Sequence, residues 1–328
     1  MNNIIIFGGA GFIGTNLTKR CLDRGDKVLC IDNLCTGRLS NIHEFESNEN
    51  FKFQALDITD KNLLNQVLHL NINLFLNGKV DEIYNLACPA SPPKYQKNPL
   101  FTIHTSLAVE SICELALQFN AKLLHASTSE VYGDPLVHPQ AEEYKGNVNT
   151  FGPRACYDEG KRIAETILYE YSKLGCRIKV IRIFNTYGPY MNPTDGRVIS
   201  NFICQAIQKN PITIYGNGTQ TRSFQYIDDL LNGIDAVMGT EDEFTGPVNI
   251  GSHFEFTIND LVTEIQKNFG YELKLDFKEL PEDDPKQRKA DISKIHMKTG
   301  WEPKVSLQEG LVKTIQYFKS LKNSEVNE

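Results

Sequence analysis

Short apolar runs alternate with segments of helical spacing over the first 190 residues of the chain. The runs have the length of strands and lie at 4–7, 28–31, 51–56, 83–87, 121–126 and 178–184. Strands that alternate with helices predict a parallel sheet with helices on both faces. We therefore expect an α/β fold built on a doubly wound parallel sheet.

The regular alternation of apolar runs and helical segments ends after about residue 190. A helix-like stretch, RVISNFICQAIQKN, is followed by the short strand ITIYG and by further short strands and helices. We expect residues 191–320 to form a smaller C-terminal α/β lobe that binds the substrate. Residues 1–190 are expected to form the nucleotide-binding domain, to which about 220–250 return, and the polar tail 321–328 is expected to be disordered.

Composition and charge narrow the possible partners. Of the 328 residues, 41% are hydrophobic and 23% charged, and the formal net charge is -7. This charge argues against nucleic acid or an anionic membrane as the main partner. The eight cysteines form no CxxC pair and are interpreted as reduced. A metal site is not predicted, because the sequence has no Cys and His residues clustered at the short spacing that zinc ligands need. The first apolar run is too short for a signal peptide or a membrane span, so a cytoplasmic location is expected.

The N-terminal sequence IIIFGGAGFIG places Gly8, Gly11 and Gly14 between the first strand and a helix that runs to about Arg24. Glycines there permit a tight turn and bring backbone N–H groups close to a pyrophosphate at the positive end of the helix. The second strand ends at Asp32, whose carboxylate can accept both ribose hydroxyls and repels a 2′-phosphate. A structural turn is the alternative for the glycines alone. Together with Asp32 they predict a Rossmann-type site for NAD rather than NADP.

The spacing GxxGxxG resembles the extended short-chain dehydrogenase/reductase family, which carries its chemistry on a tyrosine and a lysine four residues apart. A helix brings such residues onto one face. CYDEGK supplies Tyr157 and Lys161, whereas YEYSK supplies a second match at Tyr169 and Lys173. Tyr157 is expected at the start of a helix that follows a strand end and a loop. We therefore assign the chemistry to the first pair and interpret Tyr169 as a packing or surface residue.

The same resemblance implies which residues hold NAD. Asp57 and Ile58 are expected near the adenine, and Leu86 and Ala87 along the cofactor. In the family the lysine holds the nicotinamide ribose, and its charge lowers the pKa of the tyrosine so that the phenolate acts as a base. The predicted cofactor residues are Gly8, Gly11, Phe12, Ile13, Gly14, Asp32, Asn33, Thr36, Gly37, Asp57, Ile58, Leu86, Ala87, Tyr157 and Lys161.

Polar side chains crowd the end of the fifth apolar run. LLHASTSE brings Ser127, Thr128, Ser129 and Glu130 to the carboxyl edge of the predicted sheet, where ligands bind in open parallel sheets. The alternative is a strand terminus capped by hydroxyls. A glutamate among hydroxyls, beside the helix of Tyr157, favours a site that handles protons.

Six motifs resemble those of the UDP-glucuronate decarboxylases, and the likeness runs from residue 3 to about 320. They are LACPASPPKY, STSEVYGDP, GPRACYDEGKR, RIFNTYGP, GTQTRSFQYI and DDPKQRKADI. Ser129 stands where the related nucleotide-sugar 4,6-dehydratases typically have an acid, and Arg288 matches an arginine of the decarboxylases. The resemblance implies the catalytic residues Tyr157, Lys161, Glu130, Thr128, Ser129 and Arg288. It implies the substrate residues Tyr95, Asn185, Phe202, Tyr215, Gln220, Arg222 and Arg288.

The resemblance implies oxidation of UDP-glucuronate at C4, loss of CO2 and reduction at C4 to UDP-xylose, by a homodimer joined through helices around 100–118 and 155–174. Alternatives are an enzyme that releases the 4-keto pentose, a 4,6-dehydratase, a C4 epimerase and a non-catalytic NAD or nucleotide-sugar sensor. Three features depart from the family pattern. They are about a dozen extra residues at about 61–80, which form either a longer helix on the sheet face or a surface excursion, Ser106 in place of asparagine, and Tyr190 where arginine is common.

Overall fold

The computed structural model describes residues 1–279 and 287–325, with side chains up to residue 321. Its strands are β1 (Asn3–Phe7), β2 (Lys27–Asp32), β3 (Phe51–Ala55), β4 (Glu82–Asn85), β5 (Lys122–Thr128), β6 (Ile178–Ile183), β7 (Thr186–Tyr187), β8 (Ile212–Tyr215), β9 (Thr221–Ser223), β10 (Gln225–Tyr226), β11 (Val248–Ile250), β12 (Glu255–Thr257), β13 (Leu275–Lys278) and β14 (Gln287–Arg288). Seven of them form one sheet in the order β11-β6-β5-β4-β1-β2-β3. Every neighbouring pair in it is parallel, which confirms the predicted fold class.

Helices cover both faces of this sheet. They are α1 (Phe12–Asp23), α2 (Leu39–Ile42), α3 (Lys61–Phe75), α4 (Pro92–Tyr95), α5 (Pro99–Leu107), α6 (Val109–Phe119), α7 (Ala155–Lys173), α8 (Val198–Ile207), α9 (Ile227–Met238), α10 (Ile258–Gln266), α11 (Ser293–Thr299) and α12 (Leu307–Glu325). Successive side chains of a strand point to opposite faces. Accordingly Ile4 and Ile6 of β1 join one hydrophobic core, and Ile5 and Phe7 join the other. Burial on both faces explains why these strands are continuous apolar runs rather than alternating ones.

The extra residues after β3 form helix α3, which settles the choice between a helix on the sheet face and a surface excursion. Asp60 caps the helix by accepting a hydrogen bond from the backbone N–H of Leu63. Leu64, Leu68 and Ile72 lie on one face and are buried in the same core as Ile5 and Phe7. The inserted segment therefore belongs to one of the two helical layers that cover the sheet.

Short strands beyond β6 build three further small sheets. β10 pairs with β7, β9 lies between β12 and β14, and β13 pairs with β8. In the three-stranded sheet, the edge strand β14 runs parallel to the middle strand β9 and sets Arg288 opposite Arg222. This pairing connects a distant part of the sequence to the carboxyl edge of the large sheet.

Helix α12 corrects the sequence prediction at the C-terminus. It continues to Glu325, into the segment for which the sequence predicts disorder. Residues 326–328 lie outside the described residues, as do residues 283–286 of the motif DDPKQRKADI.

Candidate active site

A cleft of about 610 Å³ opens at the carboxyl edge of the large sheet, between the strand ends and the C-terminal elements. Almost all predicted site residues line it, although they come from widely separated parts of the chain. They are Gly8, Gly11, Phe12, Ile13, Gly14, Asp32, Asn33, Thr36, Asp57, Ile58, Leu86, Ala87, Tyr95, Thr128, Ser129, Glu130, Tyr157, Lys161, Asn185, Phe202, Tyr215, Gln220, Arg222 and Arg288. Of the predicted set, Gly37 does not line the cleft but packs behind it.

The glycines of the first turn let the loop pack closely, because a side chain at Gly8 or Gly14 would collide with the backbone. Gly8 has a φ of +80°, and a Cβ on it would lie 2.8 Å from the backbone of Leu86 and Ala87. A Cβ on Gly14 would lie 2.1 Å from the carbonyl oxygen of Gly8. Gly11 precedes helix α1 and has no side chain to occupy the N–H groups of the first turn. The N-terminus of α1 therefore faces the cleft as an anion-binding cradle that fits a pyrophosphate.

Asp32 is held at the end of β2 by the same loop. Its Oδ2 accepts a hydrogen bond from the N–H of Ala10 at 3.0 Å, and its Oδ1 accepts one from the N–H of Leu34 at 2.7 Å. Burial raises the pKa of Asp32, and these two backbone N–H groups oppose the rise. A Cβ on Gly37 would lie 2.9 Å from both carboxylate oxygens, so only a glycine fits behind them. Each oxygen keeps acceptor capacity for a ribose hydroxyl.

Asp57 and Asn33 form the wall of the cleft beside Asp32. The Nδ2 of Asn33 donates to Oδ2 of Asp57 at 2.8 Å, and the N–H and hydroxyl of Thr59 donate to its Oδ1. Burial acts to raise the pKa of Asp57, but these hydrogen bonds outweigh it and lower the pKa. Asp57, which is predicted to lie near the adenine, is thus fixed by hydrogen bonds from Asn33 and Thr59.

Tyr157 and Lys161 face the other end of the cleft from the first turns of α7. Tyr157 is 5% exposed, and Nζ of Lys161 lies 6.0 Å from its ring centroid. Lys161 also donates to the carbonyl oxygen of Ala126 at 2.8 Å, and burial lowers its pKa. The alternative tyrosine, Tyr169, is 60% exposed with Lys173 4.2 Å from its ring centroid. The structure therefore brings only the first of the two sequence matches to the cleft.

Burial has the largest effect on the pKa of Tyr157. It raises the pKa of the phenol, while a hydrogen bond with Thr128 and the charge of Arg197 act in the opposite direction. The pKa of Tyr157 is therefore raised, whereas the resemblance implied that the lysine would lower it. Tyr95 stacks on Tyr157 with a centroid separation of 5.0 Å and an interplanar angle of 3°.

Glu130 lies between two guanidinium groups at the tip of β5. Nη1 of Arg288 donates to its Oε1 at 2.6 Å, and Nη2 of Arg154 donates to its Oε2. Arg288 also donates to Oγ of Ser129 and to the carbonyl oxygen of Gly133, each at 2.9 Å. Burial acts to raise the pKa of Glu130, but the charges of Arg288 and Arg154 outweigh it and lower the pKa to about 2. Glu130 is therefore a carboxylate at neutral pH.

Arg154 and Arg197 line the cleft but were absent from the sequence-based set. Arg197 forms an ion pair with Asp195 at 3.2 Å and donates to the carbonyl oxygen of Ala90. Arg154 lies inside the motif GPRACYDEGKR, three residues before Tyr157, so its place in the motif was the available signal. Nothing in the local sequence indicates that it contacts Glu130, because that contact joins α7 to a strand end 24 residues earlier.

The predicted nucleotide residues lie on the C-terminal side of the cleft. Arg222 is on β9 and Phe202 is buried on α8. Nε2 of Gln220 donates to the carbonyl oxygen of Tyr215 at 2.7 Å, and Tyr215 is 45% exposed. Asn185 accepts the N–H of Gln225 through its carbonyl oxygen, which fixes the chain after β6. These residues surround a space that opens directly onto the cradle of α1.

The two substitutions that depart from the family pattern occupy defined places. Ser106 is buried on α5, and a Cβ on Gly160 would lie 2.8 Å from its hydroxyl, so the small serine accompanies close packing of α5 against α7. Tyr190 lines the cleft, and its hydroxyl donates to Glu44. Its ring lies 5.2 Å from that of Tyr317 on α12. Tyr190 thus links the cleft to Glu44 and to helix α12.

Comparison with known proteins places this cleft in a family. A family model described as GDP-mannose 4,6 dehydratase matches residues 5–314. UDP-glucuronic acid decarboxylase 1 of Xenopus tropicalis is 46% identical over 99% of this chain and 74% of that protein. UDP-glucuronic acid decarboxylase 1 of Arabidopsis thaliana is 46% identical over 97% of this chain and 70% of that protein.

Solved structures show the same fold with bound nucleotides. UDP-glucuronic acid 4-epimerase of Bacillus cereus, in complex with UDP-glucuronic acid and NAD, superposes with a TM-score of 0.84 at 29% identity over 97% of this chain and 99% of that one. dTDP-glucose 4,6-dehydratase of Bacillus anthracis, in complex with NAD, has a TM-score of 0.83 at 26% identity over 98% of both chains. The fold and the site thus define an NAD-binding nucleotide-sugar enzyme class. The chain belongs to the extended short-chain dehydrogenase/reductase family, among the UDP-glucuronic acid decarboxylases.

Proposed function

We propose that the chain is an NAD-dependent UDP-glucuronate decarboxylase that forms UDP-xylose and CO2. The observation that carries this proposal is the arrangement around Ser129. Arg288 donates to the hydroxyl of Ser129 and to the carboxylate of Glu130. The position at which a dehydratase of this fold has an acid therefore holds a neutral hydroxyl, and the acid needed to expel a C6 hydroxyl is missing. The decarboxylase names of the relatives support the same reading.

The cradle of Gly8, Gly11 and Gly14 would hold the pyrophosphate of NAD, and Asp32 would hold the adenosine ribose. The fit rests on the close packing of the loop, in which a Cβ at Gly8 or Gly14 would overlap backbone atoms, and on Gly11, which has no side chain to cap the first turn of α1. When bound, NAD supplies the hydride acceptor for C4 of the sugar and returns the hydride at the end of the cycle. Lys161 would hold the nicotinamide ribose from its place beside Tyr157.

Tyr157 is the base that accepts the proton of the C4 hydroxyl. Its hydroxyl is hydrogen-bonded to Thr128, which orients it toward the cleft. Burial raises the pKa of Tyr157, and the charge of Arg197 and the hydrogen bond with Thr128 act to lower it and so favour the phenolate. The same two hydroxyl groups can then donate to the oxygen at C4 when negative charge develops there.

Loss of CO2 follows from the position of the new carbonyl group. A ketone at C4 makes the C6 carboxylate, which is attached to C5, part of a β-keto acid. The C5–C6 bond breaks, C6 leaves as CO2, and the electron pair of that bond forms an enolate with its charge on the C4 oxygen. Hydrogen bonds from Tyr157 and Thr128 stabilise the negative charge on this oxygen.

The proton that C5 then receives comes from a water molecule held at Glu130. With a pKa of about 2, Glu130 is ionised and cannot deliver a proton of its own. Its carboxylate accepts from Arg288 and Arg154, and it can also accept from a water. The charge of Arg288 stabilises the hydroxide that remains after the transfer. The overall reaction consumes one proton for each CO2 released.

We also propose a homodimer formed through α5 and α7. These helices pack against each other and carry exposed apolar side chains, with Leu100 67% exposed and Ile163 42% exposed. The stretch Pro99–Phe119 is apolar and long enough to cross a membrane by length and composition, but half of it is buried in the fold, as in the core helix of a soluble protein. Sedimentation equilibrium tests the dimer, and a monomer at micromolar concentration contradicts it. The cytoplasmic location stays a prediction.

The proposal is tested by incubating the purified protein with UDP-glucuronate and catalytic NAD. We expect the NMR spectrum of the sugar to become that of UDP-xylose, with no lasting absorbance from NADH. A 4-keto pentose with stoichiometric NADH indicates that the enzyme releases the intermediate. An unchanged sugar refutes the proposal.

A further inference from the structure

Arg154 joins two carboxylates, of which only one borders the cleft. Its Nη2 donates to Glu130, and its Nε lies 3.9 Å from Oδ2 of Asp158, one turn further along α7. The side chain of Arg154 is 14% exposed and that of Asp158 is 7% exposed. Arg154 thus lies between the carboxylate at the strand end and a second carboxylate behind it.

Asp158 has an unusual environment for a carboxylate. It is 5% exposed, and its Oδ1 is buried with no hydrogen-bond partner among the described residues. A buried carboxylate oxygen without a partner is costly when it is charged and much less so when the group carries a proton. The charged and titratable groups that act on Asp158, or on which it acts, are Arg154 just before α7, Cys156 and Glu159 on α7, Glu130 after β5, Arg288 on β14 and Tyr95 on α4.

The charge of this cluster depends on Asp158 alone near neutral pH. Arg154 and Arg288 each contribute +1, and Glu130 contributes −1 because its pKa is about 2. Burial and the charge of Glu130 raise the pKa of Asp158 to about 7, against the opposing charges of Arg154 and Arg288. The four groups therefore carry a net charge of +1 when Asp158 is neutral and zero when it is ionised.

The cluster lies at the end of the cleft where the sugar is expected. Glu130, Arg154 and Arg288 line the cleft, and so does Tyr95, whose ring stacks on Tyr157. The buried hydroxyl of Tyr95 has no hydrogen-bond partner among the described residues, and the pKa of Tyr95 responds to the charges of Arg154, Glu130 and Asp158. A ligand that brings one negative charge to this end would neutralise the cluster while Asp158 stays protonated.

We propose that Asp158 is a positioning residue that selects for an anionic sugar. In its neutral form it leaves Arg154 bonded to Glu130 and leaves the cluster with one positive charge, which the carboxylate of the substrate balances. When Asp158 ionises, it competes for Arg154 and removes that charge, so the anionic sugar binds less tightly. This inference rests on the proposed function, because it takes the C6 carboxylate of UDP-glucuronate as the balancing group.

The test compares a charged and an uncharged sugar on the same nucleotide. The KM for UDP-glucuronate and the inhibition constant of UDP-glucose, which lacks the carboxylate, are measured from pH 6 to pH 8.5. For the wild type we expect KM to rise about tenfold through pH 7, the change that one unit of pKa coupling produces. The inhibition constant of UDP-glucose stays within twofold. In Asp158→Asn, which mimics the neutral form, the KM stays flat and close to its value in the wild type at pH 6.

Glu159→Gln is the matched control, because it removes the same charge from a neighbouring side chain that is 40% exposed. Because the charge of Glu159 is a minor cause that raises the pKa of Asp158, we expect the same rise of KM in this variant, with its midpoint at a slightly lower pH. If Asp158→Asn does not fold, judged by its melting temperature and NAD binding, Asp158→Ser replaces it.

A pH profile of KM in the Asp158 variant that matches the wild type overturns the inference, and so does a parallel rise for UDP-glucose. In both cases UDP-xylose still forms, and the proposed function stands. If the wild type forms no UDP-xylose from UDP-glucuronate, the proposed function itself fails, and the inference fails with it.

Discussion

The substitution Gly14→Ala tests whether the glycine turn holds the cofactor as the geometry indicates. A Cβ at this position would lie 2.1 Å from the carbonyl oxygen of Gly8 and 2.7 Å from Cα of Gly9. Ordinary van der Waals contact begins at 3.4 Å, so the loop must move by about 1.3 Å (3.4 − 2.1). Both neighbouring atoms belong to the backbone and cannot move aside as a flexible side chain does.

The effect on folding and the effect on NAD binding are expected to differ. Alanine is favoured over glycine inside a helix by about 1 kcal/mol, whereas overpacking costs about 1–3 kcal/mol, so the net loss of stability is about 2 kcal/mol or less. A shift of the loop by more than 1 Å breaks hydrogen bonds from backbone N–H groups to the pyrophosphate. Hydrogen bonds to charged groups contribute about 1.5–3 kcal/mol each, so losing one or two weakens NAD binding about 100-fold.

Isothermal titration calorimetry with NAD and urea unfolding measure the two effects separately. Gly270→Ala is the control, because a Cβ at Gly270 has no heavy atom within 4 Å, and we expect it to bind NAD as the wild type does. If Gly14→Ala binds NAD within twofold of the wild type, the glycine turn does not hold the cofactor in the inferred way.

Three further predictions concern single side chains of the cleft. Tyr157→Phe removes the base and should lower kcat at least 1,000-fold while NAD affinity changes less than threefold, since general acid–base catalysis contributes about 10²–10⁴-fold; turnover at the wild-type rate refutes the assignment. Asp32→Asn removes the charge that repels a 2′-phosphate, so the ratio of NADP to NAD affinity should rise at least tenfold in calorimetry; an unchanged ratio contradicts the role of Asp32. The pKa of Glu130 is lowered in the folded state from 4.5 to about 2, so its contribution to stability is present above pH 4.5 and is lost as the pH falls toward 2. The difference in unfolding free energy between the wild type and Glu130→Gln should therefore shrink by about 2 kcal/mol from pH 6 to pH 3, and a difference that is the same at both values rules out this linkage.

The large sheet could be predicted from the sequence because its strands are buried on both faces. Burial of this kind produces apolar runs such as Ile4–Phe7, which stand out against amphipathic helices. The NAD site could also be predicted from the glycine spacing and Asp32, because these residues belong to turns whose residues are close in sequence. Contacts within one strand, turn or helix leave a local pattern.

Contacts between distant segments left no such pattern. β7 and β10 are each two residues long, which is too short for an alternation to be recognised, and they pair only because the fold brings them together. The bond from Arg154 to Glu130 and the burial of Asp158 depend on how α7 packs against the end of β5. The sequence therefore indicated that Glu130 handles protons, but its low pKa became visible only when both arginines were located.

The end of α12 shows a third limit. The sequence KNSEVNE is polar and predicted disorder, yet the helix continues to Glu325. A polar end is compatible with a helix that has already been started by a buried segment, because extension adds a hydrogen bond for each residue that it fixes. Leu311, Ile315 and Phe318 provide that buried segment.

The central claim is that carbon C6 leaves the sugar at this site. UDP-glucuronate labelled with ¹³C at C6 tests it most directly, in the presence of catalytic NAD and with ¹³C NMR as the readout. We predict that labelled CO2 and bicarbonate appear at the same rate as unlabelled UDP-xylose, in a ratio of one to one. Label that remains in a dehydrated, epimerised or unchanged nucleotide sugar would contradict the account.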